Sequence, residues 1–136
     1  MNMTQSAVPG RWRLKAVFWL IIGLSGCGGG APAVTVQGQV HFQNQPVPHG
    51  HISFSPLDKD YRDEPRIVCS IQNGQYQLSS RQRVRGGKEY RVEVGGFPRK
   101  QESEEDEIEP LFPMWSQSVV IPERGGTLDF SVSATR

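Results

Sequence analysis

Little in this sequence announces an enzyme. It holds two cysteines, Cys27 and Cys69, and three histidines, His41, His49 and His51. Neither H-E-x-x-H nor a cluster of Cys and His occurs, so a metal would find too few ligands at a usable spacing. The G-x-S-x-G, G-x-G-x-x-G and P-loop patterns are missing too. Serines such as Ser53, Ser55 and Ser70 have no oriented base near them in sequence. The expectation is a chain that is not an enzyme, with no cofactor and no bound metal. A basic excess is also lacking: 15 Lys plus Arg stand against 14 Asp plus Glu, which gives no case for nucleic acid. Long hydrophobic runs are absent. The stretch AVFWLIIGL, Ala16 to Leu24, has nine residues, whereas a spanning helix needs about 20 to cross ~30 Å of hydrocarbon.

What is present at the start is an export signal. Arg11, Arg13 and Lys15 form a basic flank, the apolar stretch follows, and Ser25-Gly26 supply small residues, in the order of a secretory leader. Leu24-Ser25-Gly26-Cys27 resembles the lipobox of bacterial lipoproteins. The resemblance implies that a signal helix within residues 1–26 is removed and that Cys27 carries a diacylglyceryl group, a role suited to a nucleophilic thiolate. Two or more acyl chains, at ~0.8 kcal/mol per buried CH₂, hold a protein stably on a bilayer. The expected partner is therefore a membrane, reached through lipid on Cys27. Gly28 stands where some lipoproteins carry an inner-membrane retention Asp, which points to the outer membrane, facing the periplasm or the surface.

Losing the leader removes Arg11, Arg13 and Lys15 and leaves 12 basic against 14 acidic side chains in 110 residues. That length allows one domain around one core. Residues 27–33 read as the lipidated cysteine and a Gly/Pro spacer. Cys69 is then the one remaining thiol, so no internal disulfide can form. A buried inert thiol and a reactive or intermolecular one both stay open.

From Val34 the pattern has period two, which indicates half-buried strands rather than helices. Val34, Val36, Val40 and Phe42 share a face, and Ile52 and Phe54 resume the alternation after the turn-rich NQPVPHG. Ile67, Cys69 and Ile71 lead to Asn73-Gly74, a strong hairpin signal, and then to Tyr76 and Leu78. Tyr90, Val92 and Val94 alternate with Glu89, Arg91 and Glu93. Val119 with Ile121, and Leu128 with Phe130 and Val132, mark the closing strands around Gly125-Gly126. About seven strands and no apolar helical period predict an all-β, antiparallel β-sandwich over residues 34–136.

Three stretches carry a family likeness: VTVQGQVHFQNQPVPHGHISFSP, NGQYQL and GGKEYRVEV. Together they resemble the carboxypeptidase regulatory-like domain, a transthyretin-like sandwich of general immunoglobulin-like form. Asn44 stands where the first turn of that pattern has glycine, and one extra residue separates Gly87 from Tyr90. A lipobox followed at once by such a domain is similar to small lipoproteins of planctomycete-type bacteria. The resemblance implies an accessory, structural or carbohydrate-adhesion role, since a separate catalytic domain carries the activity that names the family.

Residues 97–116, FPRKQESEEDEIEPLFPMWS, form the longest stretch without a strand signal. Six acids between Glu102 and Glu109 repel one another and stay solvated. Leu111, Phe112, Met114 and Trp115 then return apolar bulk. Either this end caps an open edge of the sandwich or it offers a contact surface. The expected role is a membrane-anchored, non-catalytic envelope module for structure or protein interaction. The alternative is a carbohydrate-binding module that stacks a glycan on Tyr61, Phe112 or Trp115.

Overall fold

The computed structural model describes residues 30–79 and 81–134. The expected signal helix and the expected lipid site, Cys27, lie outside the described residues. Strands β1 (Ala33–Val34), β2 (Val36–Phe42), β3 (Gln45–Pro46), β4 (His49–Pro56), β5 (Ile67–Gln72) and β6 (Gln75–Gln77) come first. They are followed by β7 (Val84–Arg85), β8 (Glu89–Phe97), β9 (Trp115–Val120), β10 (Gly126–Thr127) and β11 (Phe130–Val132). Apart from a 3-10 turn at Lys59–Tyr61, no helix occurs among the described residues. The fold is all-β and sandwich-like. One curled sheet runs in the order β10–β2–β6–β5–β4–β8–β9, with β3 and β11 also paired to β2, and β1 and β7 make a small separate ribbon.

Side-chain alternation sets the core. On β8, Tyr90, Val92 and Val94 turn inward, and across the ladder Val92 meets Phe54 while Val94 meets Ile52. Val36 and Val40 of β2, Ile71 of β5 and Tyr76 of β6 close the same interior. The predicted hairpin forms: Asn73 and Gly74 take φ of 50° and 76°, the positive values that a tight two-residue turn requires. Trp115 on β9 meets Phe130 on β11 edge-on, with centroids 6.0 Å apart, so curling brings the two sheet ends face to face.

Three features depart from simple alternation. β8 continues beyond Val94 through Gly95-Gly96, where side chains from neighbouring elements fill the space a Cβ would need: His51 on one side, Phe112 and Val47 on the other. β9 begins at Trp115 rather than near Val119, because the longer β8 gives it a partner down to the Val94–Trp115 pair. The closing strand is parallel to β2, unlike the other pairings. It is broken at Leu128-Asp129, where the Leu128 carbonyl lies over Gly38 and accepts the Tyr76 hydroxyl at 2.6 Å.

The body takes hold at Ala31, inside the stretch expected as spacer. The Ala31 N–H donates to the Tyr61 hydroxyl (3.1 Å), its carbonyl accepts from Arg85 (3.2 Å), and the Pro32 carbonyl accepts from Gly86 (2.9 Å).

Candidate functional site

The outer face of β2, β6, β5 and β4 holds the most distinctive arrangement in the molecule. Because strand residues alternate, Gln37 and Gln39 of β2, Gln75 and Gln77 of β6, and Ser70 and Gln72 of β5 all face out. The ladder puts Gln37 opposite Gln77 and Gln39 opposite Gln75. Gln72 pairs with Gln75 and His49, and Ser70 with His51. One row therefore crosses four strands, Gln39–Gln75–Gln72–His49, and beside it stand the cross-strand pairs Gln37–Gln77 and Ser70–His51.

These side chains floor a groove of about 820 Å³ that also touches Thr127 and Asp129. A second depression of about 240 Å³ shares Ser70 and Gln72 and extends the groove past His49 and His51 to Phe97 and Arg99. None of the five glutamine side chains bonds another protein group among the described residues. Each presents a carbonyl acceptor and an NH₂ with two donors. The charges stand at the borders: Asp129 accepts the Gln39 N–H at 2.8 Å, Arg99 forks onto Asp106 at 2.6 and 2.8 Å, and Lys100 lines the far depression. Between those borders the amides themselves carry no charge and offer donors and acceptors side by side. At its far end the Phe97 ring stands 6.3 Å from His51.

The aromatic residues singled out from sequence lie elsewhere, and apart from one another. Phe112 is 4% exposed, packed against Phe42 at 4.8 Å between centroids; it plugs the core above Gly96 and offers no stacking surface. Trp115 is half-buried against Phe130. Tyr61 lies under Arg85 and Lys88, each 5.4 Å from the ring centroid. Lys88 precedes β8 whereas Trp115 pairs with Val94 near its far end, so ~3.3 Å per strand residue puts the two sites roughly 20 Å apart. Of the three candidates Phe112 is buried, while Tyr61 and Trp115 are half-buried and stand too far apart to share one surface. The loop resolves the same way: Phe112 caps the core while Glu102, Glu104, Glu105, Glu107 and Glu109 stay exposed.

Around Tyr61 the charges are paired. Arg85 bonds Glu64 at 2.7 and 3.0 Å, and Lys88 bonds Asp58 at 3.0 Å. The Asp60 N–H and then Lys88 hold the Asp58 carboxyl below its ordinary range. Cys69 is 9% exposed and donates to the Gln77 carbonyl at 3.2 Å. Desolvation pushes its thiol pKa up, and Cys69 is buried, as the first of the two alternatives has it. No group of three or more His, Cys, Asp or Glu that could hold a metal occurs among the described residues. No motif in the sequence marks the glutamine face. Its signal is the Gln-rich polar half of the alternation in VQGQV and QNGQYQ, which acquires meaning only once the strands are aligned.

Comparison with known protein families and with curated proteins finds no match.

Proposed function

We propose that this chain is a non-catalytic envelope lipoprotein of carboxypeptidase regulatory-like type, an interaction module that takes a neutral, hydroxyl-rich glycan along its amide-lined groove. The observation that carries the binding reading is the set of five uncommitted glutamine amides on one concave face. Hydroxyl groups both donate and accept, and a primary amide matches both functions. An anionic ligand would find no cation among those amides, and a cation would find one carboxylate, Asp129, at their border. Phe97 supplies an apolar ring at one end, as a sugar face requires.

The anchor reading rests on the leader and the Leu24-Ser25-Gly26-Cys27 box. The place where the chain enters the fold sets how the body would stand on that anchor. Ala31 is held beside Arg85, near the start of β8, and β8 then climbs about 26 Å to Phe97 at ~3.3 Å per residue. With lipid on Cys27, the Phe97 end of the groove faces away from the bilayer.

A glycan array probed with the full chain in detergent tests the reading. Binding of neutral glycans is expected, lost in Gln37→Ala/Gln77→Ala and kept in Trp115→Ala. No retention of any neutral glycan by the wild-type chain sinks the groove reading, and loss in Trp115→Ala alone moves the site to the loop. Labelled fatty acid tests the anchor: equal label in wild type and Cys27→Ser defeats it.

A further inference from the structure

We infer that the free edge of β9 pairs with β9 of a second copy of this chain, antiparallel and about a two-fold axis at Gln117. This does not depend on the glycan reading. β9 ends the sheet, with β8 on one side and no strand on the other among the described residues. Ile121 donates to Lys88 at 2.9 Å and its carbonyl accepts from Gly87 at 2.7 Å. Hydrogen-bonding direction alternates along a strand, so Val119, Gln117 and Trp115 also turn their backbone groups to β8. Ser116, Ser118 and Val120 aim theirs outward.

Along β9 itself protective devices are absent, and Pro113 and Pro122 stand just beyond its ends. Sheet edges are usually blunted by charge, proline or a bulge, yet Met114 to Ile121, MWSQSVVI, contains no charge and no proline. Two of the three large hydrophobic side chains that stand exposed among the described residues, Met114 at 57% and Val120 at 63%, flank this same edge.

Self-pairing accounts for both. Opposed residues of an antiparallel pair share a face. An axis at Gln117 sets Ser116 against Ser118 of the copy in a hydrogen-bonded pair, and Trp115 against Val119 on the inner face. It also sets Met114 against Val120, and symmetry repeats that contact. Moving the axis to Ser118 puts Val120 against Ser116, and moving it to Ser116 puts Met114 against Ser118. Of these three registers only Gln117 covers both exposed apolar groups with each other. One strand pair is smaller than the ~1,600 Å² of a standard interface, so the dimer is concentration-dependent.

Gln117→Cys in the full chain, in detergent with mild oxidant, is the test. On the axis the two Cα atoms stand ~4.5 Å apart, within the ~4.4–6.8 Å that a disulfide spans. A covalent dimer at least about tenfold above the wild-type background is expected, with Ser118→Cys near background. Light scattering on the wild-type chain over about a thousandfold range in concentration should show monomer passing to dimer. Val120→Lys, at an exposed position, should weaken that dimer at least about tenfold. A wild-type chain that stays monomeric throughout overturns the pairing, and leaves the edge to a strand from another protein. Equal linkage at 117 and 118, or a dimer indifferent to Val120→Lys, overturns it as well.

Discussion

Tyr76 and Gln77 are neighbours on β6, and the fold treats their polar groups in opposite ways. Tyr76 is 3% exposed, with its ring 6.1 Å from both Phe54 and Phe130 and its hydroxyl bonded to the Leu128 carbonyl. Gln77 faces the groove with its amide uncommitted. The inner face leaves no buried side-chain polar atom without a partner among the described residues, as a dry interior demands. The outer face can leave amides over because water reaches them. Polar groups that folding does not need are the ones free to serve a ligand, which is why the groove, rather than the core or the paired charges around Tyr61, reads as the site.

The largest effect that would break this contrast belongs to Phe54→Ala. Phe54 is fully buried between β5 and β8, and emptying such a position costs about 3–5 kcal/mol. That is a large part of the roughly 5–15 kcal/mol a domain possesses. Urea unfolding should show a much lower midpoint at unchanged slope; a loss under about 1 kcal/mol would mean the inner face is not a packed core.

Tyr76→Phe should come next. It keeps the ring but strands the Leu128 carbonyl, at about 1–2 kcal/mol. Burial first, then the Asp129 charge and Cys69, push the Tyr76 phenol above its ordinary pKa. A raised value means the neutral form is favoured by the fold. Its contribution is complete below the unfolded tyrosine pKa near ~10 and is lost as pH rises beyond that. Wild type should therefore lose stability in alkali, and Tyr76→Phe should lose less. Some loss should persist, because burial raises Tyr90 too. Identical alkaline profiles would remove Tyr76 from the account.

The inner face was largely legible from sequence, and the outer face was not. Alternation named Val36, Val40, Ile52, Phe54, Ile71, Tyr90, Val92 and Val94, and each is buried. Asn73-Gly74 announced its own turn, because positive φ is a local property. Only the second half of β9 is legible, because the positions that face β8's inner side chains are Trp115, Gln117 and Val119, with a glutamine where an apolar residue would have extended the strand signal. Gly95-Gly96 hid the end of β8, since the side chains that fill their places come from His51 and Phe112. The parallel partner of β2 and the glutamine face are products of register between distant segments, which no local period encodes. The choice between cap and contact surface for Phe112 is open in the sequence for the same reason: the core it plugs is built by residues far from it in sequence.

The smallest effects sharpen the contrast within the outer face itself. Arg66, on the same side of the sheet, uses one guanidinium nitrogen to reach Glu93 at 2.8 Å and the Ser53 hydroxyl at 2.6 Å. Its side chain is 48% exposed, so solvent screens the pair, and Arg66→Ala should cost no more than about 1 kcal/mol. Gln77→Ala removes an amide with no partner and should move stability by less than about 0.5 kcal/mol. Measured side by side in urea, the two substitutions separate a polar group used by the fold from one left over. If Gln77→Ala proved the costlier, its amide would be holding the sheet together, and the groove would lose its claim to be a surface kept for something else.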